Sequence, residues 1–92
     1  MKMKNPPHPG EIVADNLAEF GVTVKDAAEA LGVTRQQLHK VISGRSSITP
    51  EMAVRLEKAI GSTADTWLRM QIDYDLARIS RSALKVRSLV PA

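Results

Sequence analysis

The sequence predicts an all-α fold, a single domain of five helices, and three observations carry that expectation. Its 92 residues suffice for one compact core but not for two. Hydrophobic residues make up 43% of the chain and aromatic residues only 3%. The core must therefore be built from Ala, Val, Leu and Ile, a set that favours helices over a sheet sandwich. Four of the five glycines, Gly21, Gly32, Gly44 and Gly61, each close a segment of helical periodicity, where a left-handed residue is wanted.

The first helix is expected from Pro9 or Gly10 to Phe20, burying Val13, Leu17 and Phe20. The tripeptide Gly-Val-Thr then occurs twice, at 21–23 and 32–34. In both places it reads as a stop glycine, a buried valine and a threonine N-cap. After Thr23 a second helix shows Val24, Ala27, Ala28 and Leu31 at i, i+3, i+4, i+7. After Thr34 a third has Leu38, Val41 and Ile42 on its inner face, and Thr34 and Gln37 have capping-box spacing. Thr49 and Pro50 start a fourth helix, with Met52, Leu56, Ala59 and Ile60 facing inward.

The fifth helix follows Thr63 and should reach about Arg78. It carries two apolar stripes, Leu68, Ile72, Leu76 and Ile79, and Trp67, Met70, Tyr74 and Ala77, where a surface helix needs one. The spare stripe suggests a partner surface, most simply a second copy of the chain. Trp67, Met70, Tyr74 and Ala77 are assigned to that dimer interface, with the alternative that the helix wedges into the core and buries both stripes. The division expected is an N-terminal arm (1–8), the helical domain (9–80) and a basic tail (81–92), either frayed or a short strand that pairs on binding a partner.

Composition narrows the function classes. Without cysteine there is neither a disulfide framework nor a cysteine metal site. No apolar run approaches the roughly 20 residues needed to cross a bilayer, and MKMKNPPHPG lacks the apolar segment of a secretory signal. A cytoplasmic location is the default. The net charge of +3 hides segregation: residues 11–33 carry five acids against Lys25, whereas Arg78, Arg81, Lys85 and Arg87 follow Leu76 with no acid. Residues 34–58 carry Arg35, Lys40, Arg45, Arg55 and Lys58 against Glu51 and Glu57. Such a patch suits a polyanionic partner or, equally, a solvated face.

His8 and His39 have no partner at metal-ligand spacing. Asp73 and Asp75 point in different directions along a helix, and read as solvated or as partners for bases of the fifth helix. Ser43, Ser46 and Ser47 lack a base in reach, and no nucleophile elbow or phosphate loop is present. No enzyme, metal or cofactor is expected.

Helices two and three together have the dimensions of a helix-turn-helix. Ala28 sits where they cross, and Gly32 permits the left-handed turn that sets them at a steep angle. Leu38 and Val41 fix the inner face of helix three, so Arg35, Gln36, Gln37, His39 and Lys40 lie outside or at its exposed start. The major groove admits a helix end-on. There arginine can bond guanine O6 and N7, and glutamine adenine N6 and N7.

Residues 23–44 resemble the helix-turn-helix of the Cro/repressor-like (XRE) proteins. HPGEIV (8–13), SSITPEMAVRLEKAIG (46–61) and WLRMQIDYDL (67–76) resemble HigA-type antitoxins, also called VapI or plasmid-maintenance antidote proteins. The resemblance spans roughly residues 8 to 77. It implies a five-helix domain that dimerises through its C-terminal helix, binds a palindromic operator in its own promoter and neutralises an RNA-cleaving, HigB-like toxin. It makes Arg35, Gln36 and Lys40 base readers. Thr34, Gln37, His39 and Ser43 become backbone contacts or supplementary readers, and Arg45 and Ser46 phosphate ligands. Val24 stands where the family often has a phosphate-binding glutamine, and Ala27 where it has leucine. His39 and Lys40 are also untypical, so the operator cannot be borrowed. Rival readings are a stand-alone regulator without a toxin, a toxin-binding module whose DNA face is idle and, weakest, a basic helix resting on a membrane.

Overall fold

The computed structural model describes residues 5–91. They form five α-helices, α1 (Pro9–Phe20), α2 (Val24–Leu31), α3 (Arg35–Ile42), α4 (Pro50–Ala59) and α5 (Ala64–Ala77), then a 3-10 turn at Arg81–Ala83. No strand occurs among the described residues. Thr23, Thr34, Thr49 and Thr63 each accept a backbone N–H of the first helical turn, at 3.0–3.2 Å. The four helix starts after α1 are therefore local consequences of one residue type.

Val13, Leu17, Ala27, Ala28, Leu31, Leu38, Val41, Ile48, Met52, Ala53, Leu56 and Trp67 form one buried cluster. Its layers follow from the pairs α4 with α5, α1 with α3 and α5, and α2 with α3 and α4. No described helix is long and apolar enough to cross a membrane.

Several expectations need correction. Phe20 is 54% exposed. It stands in the last turn of α1 with Ala18 and Glu19, all exposed, beyond the helices that cover Val13 and Leu17. Val22 is exposed and Val33 half-buried: their N–H groups turn back to the carbonyls of Leu17 and Ala28, which closes each helix without inserting the side chain. In α4, Ala53 takes the inner place expected of Ala59, which is exposed, because the inward row runs Met52, Ala53, Leu56. The break after α4 needs two residues of positive φ, Gly61 and the non-glycine Ser62.

The stripes of α5 divide. Trp67 is 1% exposed and donates its indole N–H to the Gly61 carbonyl at 3.0 Å. Met70 packs on the core, and Tyr74 sits edge-on to His8 with centroids 4.9 Å apart, the Arg78 guanidinium over its ring. The stripe assigned to a partner is thus largely used inside the chain's own fold, with Ala77 alone exposed. The exposed row is the other one, Ile72, Leu76 and Ile79, with Leu68 half-buried. Trp67, Met70 and Tyr74 therefore serve the chain's own packing, while Ile72, Leu76 and Ile79 stay outside it.

Of the N-terminal arm, residues 1–4 lie outside the described residues, as does Ala92 of the tail. His8 belongs to the domain rather than to a free arm, because it is buried and its Nδ1 accepts the Gly10 N–H at 2.9 Å, capping α1.

Candidate nucleic-acid interface

The start of α3 is built by a reciprocal cap. The Gln37 N–H donates to Thr34 Oγ1 at 3.0 Å, and the Thr34 N–H donates to Gln37 Oε1 at 2.8 Å. With Leu38 and Val41 buried beneath, Arg35, Gln36, His39 and Lys40 face solvent. Gln37 spends its amide oxygen on the cap, which leaves only its NH2 group for any external contact.

Arg35, Gln36, His39, Lys40 and Arg45 line one open groove of about 510 Å³, together with Val24 and Lys25 at the start of α2. Four full cations and no carboxylate border it. Thr34, Gln37, Ser43 and Ser46 do not. Thr34 and Gln37 cap α3, and the Ser43 hydroxyl donates back to the Lys40 carbonyl at 3.2 Å. Ser46 is half-buried, and its N–H is also bonded to Lys40 O. Lys25, unassigned from sequence, joins the groove because the turn at Gly32 lays the start of α2 beside α3. Arg55 leaves the outward basic patch: its Nη1 donates to the Leu31 carbonyl at 2.8 Å while Nη2 pairs with Glu51 at 2.9 Å.

Arg55 is a brace for the turn. The last carbonyls of a helix carry partial negative charge and lack intrahelical donors. The guanidinium of α4 satisfies that of Leu31 and lies against Gly32, whose φ is +73°. A Cβ at Gly32 would stand 2.8 Å from Arg55 Nη1. The left-handed backbone is what demands glycine here; a Cβ would also displace the tip of the flexible Arg55 side chain.

The loop after α3, carrying Arg45, is held from two sides. Gln71 of α5 is buried, accepts the Ile48 N–H at 2.8 Å and donates to Asp75 at 3.0 Å. Asp75 is thus a partner for an amide rather than for a base. On the other side the buried His8 ring lies against Gly44 of that loop. Burial lowers its pKa, against the opposing pull of Asp75, the Ser46 backbone and Glu11. Gly10 abuts the Val41 carbonyl so closely that a Cβ would collide with it. Sequence alone counts Arg55 only in the basic patch and assigns His8, Gly10 and Gln71 no site role, yet these four residues set where α3 and its adjoining loop stand.

The helix-turn-helix family model (HTH_3) matches residues 15–67. Virulence-associated protein A' of Dichelobacter nodosus is 42% identical over 90 residues, 96% of this chain and 78% of the relative. A solved putative antidote protein of a plasmid maintenance system from Nostoc punctiforme superposes with TM-score 0.76 and 43% identity, covering 78% of this chain and 79% of that one. Antitoxin HigA of Pseudomonas aeruginosa, solved with the higBA promoter, gives TM-score 0.75 at 34% identity, covering 79% and 80%.

Proposed function

Because this chain belongs to the helix-turn-helix family, and within it to the HigA/VapI-type antitoxins, we propose that it is a dimeric, sequence-specific DNA-binding antitoxin. It binds a palindromic operator in its own promoter, represses that promoter and neutralises a HigB-like, RNA-cleaving toxin in the cytoplasm. The observation that carries this reading is the carboxylate-free cationic groove at the exposed start of α3. A surface of that kind offers counterion release on phosphate and long hydrogen-bonding side chains for base edges. The likeness to an antitoxin solved with promoter DNA supports the same reading.

Within the groove, Arg35, Gln36 and Lys40 read bases, while Arg45 holds phosphate from the braced loop. His39 and Lys25 contribute to backbone contacts. Thr34, Gln37, Ser43 and Ser46 act by fixing the ends of α3, with secondary contacts to the strand. Self-association uses the exposed row Ile72, Leu76 and Ile79 rather than the stripe of Trp67.

The test is titration of the full chain with a duplex of its own promoter, against a scrambled duplex of equal length and salt. The expected result is at least about a thousandfold preference for the promoter. Equal affinity for both duplexes would remove the DNA reading and leave a protein-binding module. Co-expression with the toxin encoded beside it tests the second half: growth is restored by the wild-type chain, and failure of restoration leaves a regulator alone.

A further inference from the structure

We infer that Val24 is a specificity-determining residue of the groove, selecting a thymine in each half-site by its C5-methyl group while the neighbouring Lys25 holds the adjoining phosphate. This rests on the DNA reading above and adds a contact from α2 to those assigned to α3. Val24 and Lys25 open α2 and border the same groove as the outward face of α3 and Arg45. Among the described residues, Val24 is the one aliphatic side chain of that border.

Its placement is rigid. Thr23 accepts the Asp26 N–H at 3.1 Å through its hydroxyl and the Ala27 N–H at 2.9 Å through its carbonyl, which fixes the start of α2. Ala27, Ala28 and Leu31 are buried on the inner face, and Val24 packs half-buried against the same cluster. A β-branched side chain in a helix keeps essentially one χ1 rotamer. One flank of the isopropyl group therefore rests on the core, and the other is held in the groove.

Core packing accounts for the covered flank but not for the open one, whose neighbours in the groove are cations and polar groups. That flank gains only by meeting an apolar group and excluding water. The base edges of the major groove present donors, acceptors and a single apolar group, the thymine methyl. This methyl lies on the side of the base nearest its own strand's backbone, so a residue that reaches it stands beside a phosphate of that strand. Lys25 is exposed and next in sequence, and no carboxylate borders the groove to hold it, so its ammonium is free for that phosphate. Valine and lysine thus divide one nucleotide between them, the methyl to one and the charge to the other.

Thymine and uracil differ only by this methyl, so the decisive change can be made in the DNA. The full chain is titrated with duplexes of its own promoter in which each thymine in turn is replaced by deoxyuridine. Burying one methyl is worth about fourfold in affinity, and one position in each half-site is expected to show that loss. Val24→Ala, in a residue type that favours helix, should bind the unmodified promoter as weakly as the wild type binds the uracil duplex, and should lose nothing more on uracil. Gln36→Ala should keep the uracil penalty. Lys25→Gln should also keep it while reducing the slope of log K against log salt by about one. Circular dichroism at the assay temperature checks that each variant is folded, and the uracil scan of the wild type needs no variant. A scan in which no thymine methyl matters, or a penalty as large in Val24→Ala as in the wild type, overturns the inference and leaves DNA binding standing. An unchanged salt slope in Lys25→Gln overturns the pairing of methyl with phosphate. Equal affinity of the wild type for promoter and scrambled duplexes removes the DNA reading and this contact with it.

Discussion

Arg35 and Arg45 are both exposed cations in one groove, yet they sit on different supports. Arg35 opens a helix start locked by the Thr34–Gln37 cap, whereas Arg45 hangs from a loop braced by Gln71 and His8. Arg35→Ala or Gln36→Ala should lose discrimination at particular base pairs, by about 1–3 kcal/mol, in titrations against single-base operator variants. Arg45→Ala should weaken all duplexes alike and reduce the slope of log K against log salt by about one. Matching behaviour in the two classes would refute the division of roles. His8 supplies a pH dependence. Its Nδ1 accepts the Gly10 N–H only while unprotonated, and its folded pKa lies below the ordinary value near 6.5. The unfolded chain therefore takes up the proton first. The stabilisation is complete above pH 6.5 and is lost as pH falls through the folded value. Melting curves between pH 8 and 5 should show a decline that His8→Asn lacks, since asparagine caps without titrating in this range; parallel curves would dismiss the switch.

At the scale of elements, most helix starts were legible because they depend on neighbours in the chain. Thr23, Thr34, Thr49 and Thr63 each cap the next helix, and Gly21 and Gly32 each end the preceding one. Contacts made over distance could not be read. Arg55 and Leu31 are 24 residues apart, and Gln71 and Ile48 are 23 apart. Periodicity within one helix carries no sign of either. The same limit explains α5: two stripes are visible in its sequence, but which one faces inward depends on α4, on His8 and on the carbonyl that receives the Trp67 N–H. The groove residues on α3 were legible, since Leu38 and Val41 dictate which side is outward. Lys25 was not, because it enters only through the turn. Two changes weigh the long-range contacts. Gly10→Ala forces α1 away from the end of α3 and should cost about 1–3 kcal/mol in denaturant unfolding. Gln71→Ala leaves the Ile48 N–H without its partner, at a cost of about 1–3 kcal/mol, and should slacken the Arg45 loop so that affinity falls for every duplex. Gln71→Ala with unaltered DNA affinity would show that the loop needs no brace.

At the scale of the whole molecule, two copies joined as proposed through the row of α5 would have to present their α3 helices to one face of a duplex. Half-sites read on the same side recur about every 34–36 Å, one turn of B-DNA. Lengthening the spacer of the operator by five base pairs, half a turn, should abolish cooperative binding, and ten should restore part of it; indifference to the insertion would mean that each copy binds alone. The reciprocal cap at the start of α3 bears on how such a protein diversifies. Thr34 and Gln37 are committed to holding the helix in place, whereas Arg35, Gln36, His39 and Lys40 make no side-chain hydrogen bonds among the described residues. Those four sites can mutate almost freely without eroding the scaffold. A lineage could thus acquire a new promoter specificity in single steps, and duplicated copies could drift apart into regulators that ignore one another's targets.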